Sequence, residues 1–417
     1  MKSTHLPLKS LDDALAELLA FAVPLQGSVE LGTFDADGRV LVQDLTSELH
    51  VPPQDNSSMD GYALRCIDVA TAGSVLAVTQ RIPAGAAGAP VEGGCAARIF
   101  TGAPIPPGAD AVVMQEDCEA LPPTSAAGLH EQVRVLALPQ PGQWIRRAGE
   151  DVTRGAVVLH RGTRLTPAEL GLAASIGLDR LAVARSPRVA LFSTGDELVM
   201  PGDVAPGQMR PGAIYNSNRF FLRALLKRLG CEVSDYGIVP DQRDATVQAL
   251  RAASSQHDLI LTSGGVSVGE EDHIKPAVQA LGELNLWQIA IKPGKPFAYG
   301  RVGSAHFIGL PGNPVSSYIT FLLLVRPFLL KLQGVRVLEP KAVTLPAHFD
   351  WPRADKRREF LRVRRNAAGG LELFPNQSSG VLTSAVWADG LIDNPAGQAI
   401  RSGETVRFLS LAALISR

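Results

Sequence analysis

The sequence predicts a multidomain protein of the α/β plus β class. Its 417 residues exceed what one hydrophobic core usually organises, so we expect two to four domains. From 187 to 335, apolar runs alternate with amphipathic stretches, which is typical of a doubly wound, mainly parallel sheet with helices. From 52 to 147, glycine and proline recur between short apolar runs, which indicates a β-rich inserted domain. Short strand-like runs within 336–417 predict a closing β domain.

Individual elements of the α/β domain follow from local patterns. Candidate strands lie at 189–193, 233–239, 259–262, 286–291 and 306–310, and candidate helices at 217–229, 245–253, 274–281 and 314–332. In the first of these helices, Leu222, Leu225, Leu226 and Leu229 form an apolar stripe at helical spacing. Ligands of such a sheet bind at the carboxyl ends of its strands.

Two helices flank the β insertion. The first is expected to begin after Ser10, with Asp12 and Asp13 in its first turn, where acidic groups favour a helix start and interrupt any signal-peptide core. The second is expected after Thr166, where proline takes the first helical position. We therefore predict one discontinuous helical linking domain made of residues 1–51 and 148–186.

Composition argues against several classes of function. The formal net charge of −1 gives no bulk attraction to nucleic acid or to an acidic membrane. The four cysteines form no C-x-x-C pair, which argues against a zinc site or disulfide framework and fits a reducing, cytoplasmic location. The longest apolar run, near 321–330, contains Arg326 and Pro327 and is too short to span a bilayer.

One stretch, residues 259–273, combines a buried strand, a glycine-rich turn and three acids, and reads LILTSGGVSVGEEDH. Glycines let the backbone approach a ligand, and free N–H groups in such a turn can hold an anion. The acids that follow would suit a metal ion between the protein and a phosphate. An ordinary strand-to-helix turn with a solvated acidic start explains the same spacing equally well.

Polar or glycine-rich residues follow every candidate strand of the α/β domain. Because these turns meet at one edge of a doubly wound sheet, we expect the following side chains to be neighbours: Asp196, Glu197, Asp241, Asp272, Lys292 and Lys295. Like charges at one edge need a cation or ion pairs, so one interpretation is a site where Mg²⁺ and two lysines bind a phosphorylated substrate. The alternative is a set of caps and turns, which is favoured for Asp241 but not for the two lysines between prolines.

Eight motifs, several of them in the β insertion, occur together in a fixed order. They are NSSMDGYA, IFTGAPIPPGADAVV, RRAGEDV, STGDEL, IYNSN, LTSGGVSVGEEDH, IKPGKPFAYG and LPGNPVSS, running from Asn56 to Ser317. A weaker match, RREFLR and QSSGVLTS, continues to Ser384. Taken singly, the stretches in the insertion are typical of turns. Together the motifs closely resemble the molybdopterin molybdenumtransferases, the MoeA and gephyrin E-domain family.

The resemblance implies an activity and an assembly. Such proteins insert molybdate into adenylylated molybdopterin with Mg²⁺ dependence and release AMP. It implies a homodimer of elongated, four-domain chains, with a molybdopterin-binding domain at 187–335 and a C-terminal β-barrel at 336–417. The resemblance implies small-molecule substrates as partners. It is also compatible with binding to other molybdenum cofactor biosynthesis proteins. Nucleic acid and membrane partners are not expected.

The motifs also imply site residues. The expected catalytic set is Asp60, Thr101, Asp151, Glu197, Asp241, Asp272 and Lys292. The expected metal ligands are Glu197, Asp241 and Asp272. The expected substrate-binding set is Ser263, Gly264, Gly265, Ser267, Gly269, Lys295, Pro311, Gly312, Asn313 and Pro314. The chain departs from the family at Gln288, where a lysine is frequent, and at Ser378, where a glycine is usual, which leaves the role of Ser379 open.

Three other functions are weighed against this one. A receptor-clustering scaffold, as in gephyrin, is disfavoured by the preserved acids and lysines at the strand ends. A dinucleotide-dependent oxidoreductase is disfavoured because no G-x-G-x-x-G follows the first strand of the α/β domain. A pterin adenylyltransferase would share the glycine loop but would not need the β insertion.

Overall fold

The structure is a computed structural model that describes residues 8–122, 131–239, 242–265 and 274–415. The chain divides into two compact units. The first unit comprises Met1–Gln43, Gly162–Thr166 and Leu181–Arg417, and the second comprises Asp44–Arg161 and Pro167–Arg180. Each unit is described by itself.

A seven-stranded sheet forms the centre of the first unit. Its strands in spatial order are Leu8–Lys9, Gly282–Ile289, Pro296–Val302, Ala305–Leu310, Leu259–Ser263, Arg188–Thr194 and Glu232–Val239. The last four are mutually parallel. Strand Pro296–Val302 is antiparallel to both of its neighbours and was not predicted, because its proline- and glycine-rich approach is typical of a loop.

Helices cover both faces of this sheet because its buried strands alternate their side chains between two cores. Leu259 and Leu261 join one core, and Ile260 joins the other. The helices of the unit are Leu11–Phe21, Ser217–Arg228, Arg243–Ser254, Ile274–Leu281, Pro314–Thr320, Arg326–Leu332, Thr383–Trp387 and Leu411–Ile415. A π-helical segment, Phe321–Val325, joins Pro314–Thr320 to Arg326–Leu332.

The first helix, Leu11–Phe21, is capped as expected, since Ser10 Oγ accepts a hydrogen bond of 3.0 Å from the Asp13 N–H. Its buried face packs in the same core as Phe328. The preceding strand, Leu8–Lys9, is parallel to Gly282–Ile289. The N-terminal segment thus packs with the α/β sheet. The reason is the apolar face of the helix, which completes the core of the sheet.

Within the described ranges, Pro314–Leu332 is the one helix whose length and apolarity would also suit a membrane span. Of its most apolar window, 83% is buried inside the protein, which is the behaviour of a core helix. Arg326, within it, is buried and donates from Nη1 to the carbonyl of Leu338 at 3.1 Å.

The C-terminal part of the first unit is a second sheet of six strands. In spatial order they are Ile291–Lys292, Arg358–Arg365, Gly390–Asn394, Thr405–Ser410 and Ala342–Pro346, and Leu371–Leu373 pairs with Arg358–Arg365. Strand Gly390–Asn394 was not predicted, although all five of its residues are buried. Segment Ile291–Lys292 leaves the α/β sheet to pair with Arg358–Arg365.

The second unit is built on a six-stranded sheet. Its order is Ala111–Met114, Gly61–Leu64, Cys95–Ile99, Val75–Ile82, Glu131–Val135 and Cys118–Leu121. Two small pairs accompany it: Ile145–Arg146 with Asn56–Ser57, and Val157–Leu159 with Leu45–Thr46. Helix Pro167–Ser175 begins at the predicted proline. Two further pairs lie in the first unit except for Arg180: Arg180–Ala184 with Ser28–Gly32, and Leu198–Val199 with Ile214–Tyr215. Boundaries of the four predicted domains stay a prediction.

Candidate functional site

Three parallel strands of the first unit end side by side. Ser193 aligns with Ser263, and Ser263 aligns with Leu310. Each strand then passes into a glycine-containing turn, as the sequence predicted for the carboxyl edge of the sheet. This register gathers the predicted substrate-binding residues Ser263, Gly264, Gly265, Pro311 and Gly312.

Gly264 lets two of these turns approach closely. Its N–H donates to the Leu310 carbonyl at 3.1 Å, and its φ is +93°. A Cβ at this position would lie 2.8 Å from the Thr194 carbonyl oxygen and 3.2 Å from Thr194 Oγ1. Any side chain would therefore force the turns apart, which explains why glycine is needed here.

Asn218 connects two of the strand-end turns by hydrogen bonds. It was not among the predicted site residues. Its Nδ2 donates to Ser263 Oγ at 2.8 Å and to the Gly312 carbonyl at 2.7 Å. The neighbouring Asn216 caps helix Ser217–Arg228, accepting from the Arg219 N–H at 3.2 Å. The signal available in the sequence was the IYNSN motif, in which one asparagine caps the helix and the second faces the site.

Several buried hydroxyls lie at or next to this edge without a protein partner. Among the residues that the structure describes, these are Ser193 Oγ, Thr194 Oγ1, Thr262 Oγ1 and Ser317 Oγ. Buried polar groups are normally hydrogen-bonded, so these oxygens can serve a polar ligand. With the N–H groups of the glycine turns they are suited to an anion.

The loop after Leu310 leads directly into a helix. Asn313 is the residue before helix Pro314–Thr320, and Pro314 takes its first position, which suits a residue without an N–H. The Val315 N–H donates to the Ser379 carbonyl at 2.9 Å. The LPGNPVSS motif therefore contacts the C-terminal loop in which Ser378 departs from the family pattern.

The predicted metal ligands are only partly described. Asp241 and Asp272 lie outside the described residues, as do the predicted substrate-binding residues Ser267 and Gly269. Glu197 is exposed and folds back over Gly195, where an added Cβ would lie 2.4 Å from Glu197 Oε2. Over the described ranges, no three acidic, histidine or cysteine side chains cluster as metal ligands. Glu197 alone does not make a metal centre.

Lys292 has partners that the sequence did not predict. Its Nζ lies 3.1 Å from Glu359 Oε1 and 3.2 Å from Asp355 Oδ2. The expectation that it neighbours Asp196 and Glu197 is not met among the contacts of the described residues. The physical reason is that Ile291–Lys292 joins the C-terminal sheet, where Lys292 aligns with Glu359. Lys295 is half-buried, and its carbonyl accepts from the Ile289 N–H at 2.7 Å.

Arg362, in the RREFLR motif, is a fully buried cation near the same C-terminal loop. Its Nε donates to Ser384 Oγ at 3.1 Å, and its Nη2 donates to the Ser378 carbonyl at 3.3 Å. Burial lowers the pKa of Arg362 to about 10. It was not among the predicted site residues, although its motif had been recognised.

The second unit joins two predicted residues directly. Asp60 Oδ1 accepts from the Thr101 N–H at 2.8 Å and from Thr101 Oγ1 at 2.9 Å. These hydrogen bonds, that of the backbone first, hold the pKa of Asp60 below its usual value. Asp60 is partly exposed, so its charge is accessible to a ligand.

Arg98 supports the loop that carries Asp60. It donates from Nη1 to the Gly61 carbonyl at 3.0 Å and from Nη2 to Gln115 Oε1 at 2.6 Å. The Gln115 N–H in turn donates to the Asp60 carbonyl at 3.0 Å. The guanidinium also lies 4.8 Å from the ring centroid of Phe100.

Asp151 is exposed, and its N–H donates to the Val51 carbonyl at 3.0 Å. The structure does not bring it to Asp60 or Thr101 through any hydrogen bond of the described residues. Asp55 instead fixes this loop, accepting from Arg147 Nη1 at 2.6 Å and from the Ala148 N–H at 2.8 Å.

Three family models match successive parts of the chain. The MoeA N-terminal region (domain I and II) matches residues 9–177, a model described as "Probable molybdopterin binding domain" matches 190–331, and the MoeA C-terminal region (domain IV) matches 344–411. These matches cover the residues described above in each of the two units.

Relatives and solved structures agree with the models. The chain is 43% identical to a molybdopterin molybdenumtransferase of Haemophilus influenzae, over 82% of this chain and 80% of the relative. It is 34% identical to a molybdopterin molybdenumtransferase of Nostoc sp., over 90% of this chain and 87% of the relative. The crystal structure of a molybdopterin biosynthesis MoeA protein from Pyrococcus horikoshii matches 97% of this chain and all of its own, with a TM-score of 0.81 and 28% identity. The chain belongs to the MoeA family of molybdopterin molybdenumtransferases.

Proposed function

We propose that the protein inserts molybdate into adenylylated molybdopterin and releases AMP in a Mg²⁺-dependent reaction. It is a transferase of molybdenum cofactor biosynthesis, as its family membership states. The main support for this reaction is the edge of the sheet where Asn218 hydrogen-bonds to Ser263 and Gly312, next to Gly264. Its N–H groups and its buried hydroxyls suit the phosphates of an adenylylated substrate.

Cationic groups support the oxyanion part of the proposal. Lys292 lies on the segment that leaves the α/β sheet, and its ammonium is the natural partner of molybdate. Lys295, three residues further on, is only half-buried. We assign both lysines to binding and orienting the anion. Asp60, held by Thr101, is the carboxylate of the second unit that we assign to the same reaction.

Magnesium enters the proposal through the expected ligands Glu197, Asp241 and Asp272. When bound, it would neutralise phosphate charge and activate the phosphoanhydride. Of the three ligands, the structure describes Glu197 alone, so no step is derived through the metal. The residues that bind and orient the substrate are those described above.

The direct test is incubation of the protein with adenylylated molybdopterin, molybdate and Mg²⁺ while AMP release is followed. We expect release that requires both molybdate and Mg²⁺ and that stops in the presence of EDTA. Omitting molybdate and substituting Asn for Asp60 give two controls. Release that is equally fast without molybdate would contradict molybdate insertion.

The assembly and the remaining architecture belong to the same proposal. We expect a cytoplasmic homodimer in which residues 336–417 close into a β-barrel. Light scattering should give twice the 44.2 kDa of one chain. A mass of one chain at micromolar concentration would contradict the dimer.

A further inference from the structure

Lys292 is held by two carboxylates that differ in their freedom to move. Glu359 Oε1 lies 3.1 Å and Asp355 Oδ2 lies 3.2 Å from its Nζ. The Glu359 side chain is 1% exposed, the Asp355 side chain 21% and the Lys292 side chain 38%. The Lys292 side chain is therefore partly accessible to solvent, and Asp355 is the more exposed of its two carboxylate partners.

Glu359 is fixed in place by its surroundings. It lies within strand Arg358–Arg365, aligned with Lys292 on one side and with Asn394 on the other. Its second oxygen, Oε2, accepts from Trp351 Nε1 at 2.8 Å. Moving this carboxylate would disrupt its strand pairings and leave a buried charge without a partner.

Asp355 is held within its own loop instead. It precedes strand Arg358–Arg365, and Oδ1 accepts from the Arg357 N–H at 3.0 Å and from Arg357 Nε at 3.1 Å. These bonds keep the pKa of Asp355 well below its usual value, so the group stays ionised at physiological pH. If Asp355 moved away from Lys292, its carboxylate would still be paired with Arg357, so the movement would cost little free energy.

The charges of this cluster balance. Lys292 and Arg357 are the cations, and Asp355 and Glu359 are the anions. The Lys292 ammonium donates a hydrogen bond to Glu359 Oε1 and forms an ion pair with Asp355. An anion that approaches Lys292 therefore meets a neutral cluster, in which Asp355 is the more exposed anion.

We propose that Asp355 competes with the oxyanion substrate for Lys292, whereas Glu359 is a positioning residue that holds the lysine for that substrate. The inference rests on the proposed function, which assigns Lys292 to molybdate. The repulsion between Asp355 and the incoming ion scales with the charge of that ion. Asp355 therefore opposes a dianion more strongly than a monoanion of the same shape.

The test measures binding of two tetrahedral anions to the purified full chain by calorimetry. Molybdate is the dianion probe and perrhenate the monoanion probe. Asp355→Asn should tighten molybdate binding about threefold to fivefold, the range of a partly exposed charge interaction, and should tighten perrhenate binding less. Glu359→Gln should weaken molybdate binding about tenfold, because Lys292 loses its charged anchor.

Asp350→Asn is the matched control, since it removes the same charge five residues away in an exposed position whose contact is with the Ser402 N–H. Molybdate binding to it should stay within about twofold of wild type, as for a screened surface charge. If Asp355→Asn behaves like Asp350→Asn, or binds molybdate more weakly than wild type, the inference is overturned.

Two further readouts keep the outcomes separate. In the AMP-release assay, Asp355→Asn should lower the molybdate concentration that gives half the maximal rate. A wild-type protein without molybdate-dependent AMP release would contradict the proposed function. A wild-type protein that releases AMP, beside an Asp355→Asn variant with unchanged molybdate dependence, would contradict the competition alone. If Glu359→Gln is unstable, Trp351→Phe keeps an aromatic ring against the core, removes the 2.8 Å bond to Glu359 and should weaken molybdate binding in the same direction.

Discussion

Asp60 in the second unit and Lys292 in the first are held in opposite ways. Asp60 is oriented by the neutral donors of Thr101. Lys292 is oriented by charged partners, one of which is the buried Glu359. Neutral donors fix a carboxylate without cancelling its charge, whereas carboxylates fix an ammonium by sharing its charge. The first arrangement leaves a full charge for a ligand, and the second makes a ligand compete for it.

Lys292→Ala should have the largest effect, on stability as well as on the molybdate dependence of the reaction. The buried Glu359 would lose its cation, and because the Lys292 side chain is 38% exposed we expect a loss of about 1–3 kcal/mol of unfolding free energy, the cost of an unsatisfied buried group. Urea unfolding followed by circular dichroism would measure this loss. We also expect a higher molybdate concentration for half-maximal rate in Lys292→Ala and Lys292→Gln alike. The double variant Lys292→Ala with Glu359→Gln should regain stability but not activity, and an undiminished stability of Lys292→Ala would refute the pairing.

Asp60→Ala tests the other side of the comparison. Because Asp60 is partly exposed and its hydrogen-bond partners are neutral, we expect only a small fall in the urea midpoint. Turnover should fall by at least about a hundredfold if the carboxylate serves proton transfer or positioning in the reaction. Asp60→Asn keeps an oxygen acceptor for Thr101 and isolates the charge. Wild-type turnover in a folded Asp60→Asn protein would remove Asp60 from the catalytic set.

Thr101→Val sharpens the claim that neutral donors set the ionisation of Asp60. The variant keeps the Thr101 N–H and removes the hydroxyl, so the pKa of Asp60 should rise toward 3.8. A lowered pKa means that the contribution of this contact to stability is present above the ordinary value and is lost as pH falls through the folded value. In the variant the contribution should be smaller, and its loss should be complete at a higher pH. Carbon-13 NMR of the Asp60 carboxyl, assigned with Asp60→Asn, measures the shift, and an unchanged pKa would contradict the prediction.

Arg98→Met should give the smallest effect. Arg98 supports Asp60 through hydrogen bonds to Gly61 and Gln115 and adds a weaker charge interaction, so turnover should drop about threefold to tenfold, as for loss of one or two hydrogen bonds. The molybdate concentration for half-maximal rate should stay unchanged. Arg134→Met, which removes an exposed pair with Glu119, is the matched control. A drop equal to that of Asp60→Ala would mean that Arg98 contacts the substrate itself.

Local patterns were sufficient to predict most elements of the α/β sheet. The apolar run at 259–262 and the leucine stripe from Leu222 to Leu229 each specify one element and its buried face. Strand Pro296–Val302 was missed because its first residues are typical of a turn, and only pairing with both neighbours makes it a strand. Gly390–Asn394 was missed because a glycine and two polar residues interrupt its apolar pattern.

The site was predictable where motif and geometry coincide. Asp60 and Thr101 were expected from separate motifs, and the structure joins them by hydrogen bonds. Lys292 was expected in the site, but its partners Asp355 and Glu359 lie far along the chain, just before and within strand Arg358–Arg365, which no local pattern could reveal. Asn218 is similar, since its role depends on two loops that only the parallel register brings together.

The passage of Ile291–Lys292 from one sheet to the other has a consequence for how this protein can be divided. A version that ends at residue 335 would keep Lys292 but lose both of its carboxylates. It would also leave the backbone of Ile291–Lys292 without its strand partner. The C-terminal region therefore cannot be exchanged between relatives as an independent cassette. A chimera would have to carry Ile291–Lys292 and Arg358–Arg365 from the same parent.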